Sequence, residues 1–212
     1  MKKLCAVFAA VMTAATVWLF CSCGVDPMDR VSERRSGYYS ASDGAATVTV
    51  VSGVRETPYE ADGKAGALKP YTLITIVPVK FEIDAVYTYT AFVGSSVYGG
   101  TLNVHPFAAS FSAEFDAEVK GEFKLTVKCG GTESEYAMKS LATAEMFGYD
   151  RAIEAAKTAL KPKGKYEIRV RLIKNPITGE GVCWHVAFYA ADGSSGVLLD
   201  PITAKIIAKK TD

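Results

Sequence analysis

The stretch FAASFSAEFDAEVK, residues 107–120, decides the reading of the fold. Phe107, Ala109, Phe111, Ala113, Phe115, Ala117 and Val119 alternate with Ala108, Ser110, Ser112, Glu114, Asp116, Glu118 and Lys120. A two-residue period of this length gives a strand one apolar face for a core and one polar face for water. Lys120-Gly121 then predicts a tight turn, after which Phe123, Leu125, Val127 and Cys129 continue the alternation as the second arm of a hairpin. Gly130-Gly131 offers the next turn, and Tyr136 and Met138 the inward side chains of a third strand.

Working outward from that stretch, residues 38–142 are rich in Val, Thr, Tyr and Phe and sustain no helical period for three turns. Ala46 to Val54 and Tyr71 to Phe81 read as β-branched strands, with Pro78 marking an edge, a bulge or an end. Ala85 to Val93 sets Tyr87, Tyr89, Ala91 and Val93 on one face. About seven strands at this spacing predict an all-β, sandwich-like (immunoglobulin-like) domain. The Cys and Trp spacing of antibody domains is absent.

Past Thr143 the period changes. Ala152, Ile153, Ala156, Ala159 and Leu160 recur at three and four residues, which lines one face of a helix started at Gly148 or Asp150 and ended by Pro162 and Gly164. Strands follow over Tyr166 to Ile173, Val182 to Ala190, Val197 to Asp200 and Ala204 to Ala208, with turns at Asn175–Gly179 and Asp192–Gly196. The expectation for residues 143–212 is a separate α+β domain, one helix packed on an antiparallel sheet. Three segments in order, DRAIEAA (150–156), WHVAF (184–188) and VLLDPITAKII (197–207), resemble a PepSY-type domain. The resemblance implies an extracytoplasmic module, a protein partner such as an exported peptidase, and a role that inhibits or regulates that peptidase; it carries over no catalytic residue. Ala204 stands where the family has Gly, at a turn where Ala resists positive φ.

The amino terminus has the grammar of export: Lys2-Lys3, an uncharged apolar run from Leu4 to Phe20, then Cys21-Ser22-Cys23-Gly24. A permanent span is the competing reading, since the run comes close to crossing a hydrocarbon core of about 30 Å. The segment resembles a bacterial lipoprotein signal peptide, with the small Ser22 before the Cys that is acylated. That resemblance implies cleavage after residue 22, lipidation at Cys23, and an extracytoplasmic protein lipid-anchored to the bacterial cell membrane. Residues 23–37, with Pro27 and mixed charges, read as a flexible tether.

The 212 residues carry 24 Lys and Arg against 23 Asp and Glu, a net charge of +1, and 49% of them are hydrophobic, so a disordered polymer and a polytopic membrane protein are excluded. Loss of Lys2 and Lys3 with the leader leaves 22 basic against 23 acidic residues, a charge of about −1. Interspersed charge of that size offers no field for a phosphate backbone, and nucleic acid is not expected as a partner. Cys183 and His185 share a strand face, but two ligands are no metal site, and nothing in the spacing brings Cys129 or His105 to them. Cys129 and Cys183 are read as free thiols in apolar strands rather than as a disulfide, and Trp184 as core packing. Ser194-Ser195 reads as a turn, and Glu114 and Glu118 as a solvated strand face. Covalent catalysis lacks its parts, no cofactor is expected, and the expected role is non-enzymatic binding or scaffolding at the cell surface.

Overall fold

The computed structural model describes residues 26–60 and 62–211. After a short 3₁₀ turn (Pro27–Arg30) come β1 (Val31–Ser42), β2 (Ala46–Glu56), β3 (Leu68–Pro78), β4 (Tyr87–Val93), β5 (Ser96–Val104), β6 (Phe111–Phe115), β7 (Phe123–Cys129) and β8 (Thr132–Met138). One α-helix among the described residues, α1 (Tyr149–Leu160), precedes β9 (Glu167–Lys174), β10 (Val182–Ala190), β11 (Gly193–Leu199) and β12 (Ile206–Thr211). The strands join in one mixed sheet ordered β12-β11-β10-β9-β1-β2-β3-β6-β5-β4-β7-β8.

The sheet folds over itself at β5. Most of that strand pairs with β4, while Asn103 and Val104 pair with Ser112 and Phe111 of β6. The far end of the strand order therefore returns above its middle: Tyr39 of β1 meets Phe123 of β7 edge to face at 5.3 Å, and Tyr39 also bridges to Ser140. The enclosed core is built from Val48, Val50, Ile74, Ile76, Phe111, Leu125 and Met138 and their neighbours. Each such side chain contributes about 1.5–3 kcal/mol by leaving water.

A second core lies under α1. Ala152, Ile153 and Ala156 are its buried residues, and they pack with Val31, Ile168, Val170, Leu172, Trp184, Val186 and Leu199. The small alanines let the helix lie close to the strands, as their spacing predicts. Gly148 stands at the N-cap position and Lys161, with φ 49°, ends the helix.

Three sequence expectations are corrected. There is no separate C-terminal α+β domain beside an immunoglobulin-like sandwich: β9 pairs in parallel with β1, and β1 pairs along its other edge with β2, so one continuous twelve-stranded sheet carries both cores. The tether reading of residues 23–37 fails from Val31 onward. Polar sequence there is strand because its side chains have partners on β9 and α1: the Ser32 hydroxyl donates to the Ile168 carbonyl at 3.5 Å, Glu33 pairs with Arg171, and Arg34 donates to the Tyr149 hydroxyl at 3.0 Å. A bulge between Arg35 and Gly37 bends β1 away from β9, and Gly53 sits opposite it because a Cβ there would collide with the Arg34 carbonyl.

The stretch from Phe107 to Lys120 also departs from its expected hairpin. Phe111, Phe115 and Val119 are buried, as the alternation requires, but Phe107 is 92% exposed and the strand covers only Phe111–Phe115. No hairpin joins β6 to β7, because β6 pairs with β3 and β5 whereas β7 pairs with β4 and β8. The intervening chain crosses between layers through Gly121, at φ 85°. Its backbone is satisfied by side chains: Thr72 Oγ1 donates to the Ala117 carbonyl at 2.6 Å, the Val119 amide to Ser52 Oγ at 2.7 Å, and Tyr39 Oη to the Val119 carbonyl at 3.3 Å. These bonds answer the polar groups that would otherwise be orphaned in the core.

Candidate functional site

Where α1 covers one face of β9 and β10, alternation sends the intervening side chains to the opposite face. There Arg171 lies across from Arg35 on β1 and His185 on β10, while Arg169 lies across from Glu33 and Ala187; Glu33 in turn lies across from Arg55 on β2. The face is thus paved with guanidinium groups, and Tyr59 of the β2–β3 loop lies against one of them, Arg169.

The electrostatics centre on Glu33. Its carboxylate takes the Arg171 guanidinium and the Tyr71 hydroxyl, the latter at 2.7 Å. Burial works against its charge, but Arg171, Tyr71 and Arg35 together outweigh burial and hold the carboxyl below its usual range. Burial, reinforced by Glu33, raises the Tyr71 phenol, which stays protonated and donates. Burial first, then repulsion from Arg171 and Arg35, keeps the His185 imidazole below its usual value and hence neutral at pH 7.

Two cavities open on this face. One, of about 390 Å³, runs over β10, β11 and β12 between Ile173, Pro176, His185, Tyr189 and Leu198. Its floor is shallow in side chains, with Ala187 and Gly196 side by side; a Cβ on Gly196 would stand 3.3 Å from His185 Nε2. The other, of about 360 Å³, lies over β9, β1 and β2 between Glu33, Arg55, Glu56, Tyr59, Arg169 and Arg171. Arg169 stands at the boundary, its guanidinium 3.9 Å from the Tyr59 ring centre and 4.7 Å from that of Tyr189.

The residues singled out from sequence fall in different places. Cys23 lies outside the described residues. Cys183 and His185 do share a face, but Cys183 is fully buried and burial pushes its thiol up to about 11. Cys129, at the end of β7, and Cys183 are both free thiols. His105 belongs to the β5–β6 loop, where its Nδ1 accepts from the Phe107 amide at 3.2 Å. Among the described residues no three His, Cys, Asp or Glu side chains are grouped to hold a metal ion. Ser194 and Ser195 lie within β11 and border the first cavity rather than forming a turn. Glu114 and Glu118 go to different partners: Glu114 to Arg55 at 2.5 Å, Glu118 to Arg34 at 3.7 Å and Lys120 at 3.6 Å. Trp184 is core, with Nε1 donating to the Phe147 carbonyl at 3.1 Å.

Sequence reasoning missed Glu33, Arg35, Arg55, Glu56, Tyr59, Arg169 and Arg171. The signal for the last two was present in the alternation of Glu167-Ile168-Arg169-Val170-Arg171, which sets both arginines on one strand face. The partner of Arg171 was invisible because Glu33 lies 138 positions earlier, in polar sequence that looks like linker. Comparison with known proteins adds no relative: no family model, no curated protein and no solved structure matches the chain.

Proposed function

We propose that the chain is a non-enzymatic, membrane-anchored extracytoplasmic lipoprotein that binds a ligand or partner on the exposed face of its sheet. The observation that carries the binding part is that face itself, paved with Arg, Glu and Tyr and opened by two cavities of small-ligand size. Its chemistry favours recognition over turnover. The Cys183 thiol is held protonated by burial, and the central carboxylate, Glu33, is already engaged by Arg171 and Tyr71. Among the described residues no helix is long and apolar enough to cross a membrane.

The anchoring part is supported by Lys2-Lys3, the apolar run from Leu4 to Phe20 and Ser22-Cys23. The chain enters the fold close behind: Arg30 donates to the Gly164 carbonyl at 3.0 Å and stacks on Tyr166 at 4.4 Å. The three residue steps from Cys23 to Asp26 span at most about 10 Å. An acyl group on Cys23 would therefore hold this end of the molecule close to the lipid, and each buried CH₂ of that group is worth about 0.8 kcal/mol. Cells fed labelled palmitate are expected to label the protein and to lose that label in Cys23→Ala; equal incorporation by both sinks the anchoring reading.

A further inference from the structure

The four guanidinium groups nearest the second cavity are not equally occupied. Arg171 is closed in its pair with Glu33, and Arg55 reaches Glu114 at 2.5 Å. Arg169 has no carboxylate within 4 Å among the described residues; it is held between the rings of Tyr59 and Tyr189. A guanidinium seated against two aromatic rings and without a carboxylate retains N–H donors for a planar bidentate acceptor. Arg35, the fourth, does not border this cavity.

The opposite charge is also unspent. Glu56 borders the same cavity, and its Oε2 is shielded from solvent without a hydrogen-bond partner, as is Oε2 of Glu167. Burial, opposed by the Gly66 amide and supported by the nearby carboxylates of Glu167, Asp62 and Glu60, pushes the Glu56 carboxyl up. A cation brought to this wall would relieve that repulsion. Arg169 does not supply it, although both line one cavity; Arg55, which pairs with Leu68's neighbour Lys69 across β2 and β3, is turned to Glu114.

A guanidinium without a carboxylate and a carboxylate with one oxygen unpartnered border one space of about 360 Å³ and call for a ligand bearing both charges. We propose that this cavity binds a small zwitterion of free amino-acid or dipeptide size, its carboxylate on Arg169 and its ammonium on Glu56. The span is suitable: β2 and β9 are separated only by β1, so their backbones stand about 10 Å apart before the side chains converge. A simple anion would face the Glu56 wall, and a simple cation would face Arg169. Tyr59 and Tyr189 give the ligand's apolar part a surface leading toward the first cavity.

The proposal rests on the exposed face being a binding surface but is independent of lipidation, so failure of the palmitate experiment leaves it standing. The full chain is titrated calorimetrically with each standard L-amino acid and with alanyl-alanine, then with N-acetyl-alanyl-alanine and alanyl-alanine amide. At least one free zwitterion is expected to bind saturably, and blocking either terminus to weaken binding about tenfold or more, the loss typical of one charged hydrogen-bonding partner. Arg169→Gln and Glu56→Gln are each expected to weaken binding similarly with the circular-dichroism spectrum unchanged. Should Arg169→Gln unfold, Arg169→Lys, which keeps the charge and loses the bidentate fork, is expected to bind more weakly than the parent. Absence of heat from every free probe at about 10 mM overturns the proposal, as does equal binding of blocked and free forms or full binding by the folded variants. None of those results bears on the anchor at Cys23.

Discussion

The half of the sheet ending in β12 and the half ending in β8 bury the same face in two different ways. Over β9, β10 and β11 the cover is α1, twelve residues whose buried side chains are two alanines and an isoleucine. Over β1, β2, β3 and β6 the cover is more of the sheet, turned back through β5. The difference teaches that layer type does not delimit a folding unit: β1 contributes Val31 to one core and Tyr39 to the other, so neither is complete without the first strand. The charged seam of Glu33, Arg171 and Tyr71 lies at the junction.

Damaging each half separately tests whether they unfold as one. Ile74→Ala in the folded-over half and Leu172→Ala in the helix-covered half both empty fully buried sites and are each expected to cost about 2–5 kcal/mol. In a Trp18→Phe background Trp184 fluorescence reports the helix-covered half, and far-ultraviolet circular dichroism reports the whole sheet. If β1 welds the halves, both probes move together in urea for either variant; separated midpoints would show two independent units.

Next in size is the seam. Glu33→Ala leaves Arg171 without its carboxylate and is expected to cost about 3 kcal/mol, the low end for a buried pair because Arg171 keeps partial access to water. Because the Glu33 carboxyl is held below its unfolded value, its contribution is full above the ordinary carboxylate range and is lost as pH falls through the lower folded value. The difference in Tm between parent and variant is therefore expected to shrink on acidification from neutrality, and a difference independent of pH would contradict the pairing.

Smaller effects separate the two ends. Asp43 ties the β1–β2 turn to β8: Ser134 first, then the Ala46 amide, with lesser help from Tyr136 and the Ala45 amide, hold its carboxyl at about 2 against slight burial. The site is exposed, so Asp43→Ala is expected to cost only about 1 kcal/mol in urea unfolding at neutral pH. That cost should fade between about pH 4 and about pH 2, the window set by the lowered folded value. In the helix-covered half Ala204 adopts φ 61° in the β11–β12 turn, where the Asp200 carbonyl accepts its amide at 3.0 Å. Ala204→Gly relieves that strain and is expected to raise stability by about 0.5–1 kcal/mol, read as a higher urea midpoint.

Local periodicity carried most of the elements. Strands β2, β3, β4, β7, β9 and β10, the helix α1 and the turn at Gly130-Gly131 were legible because each is a property of adjacent residues, and the strained Ala204 was legible as an Ala where a turn favours Gly. What could not be read is what distant partners decide. Alternation continues from Phe115 to Val119, yet the ladder stops because Thr72 and Ser52 take over the backbone there. Glu33, Arg34 and Arg35 look like linker until β9 supplies their neighbours. The candidate site was lost with them, since its central Glu33 and the neighbouring Arg35 stand on a strand that polar composition concealed.

The parallel pairing of the first strand with the ninth sets an order of events for a chain that emerges amino terminus first. Val31 finds its partner only at Ile168, so the leading strand must wait with one edge bare while more than a hundred residues follow it out. During that wait the edge is open to capture by other strands. A molecule stalled between β8 and β9 holds every buried residue of the folded-over core but lacks the strands of the helix-covered one, and the quality of its folding depends on how the waiting edge is shielded.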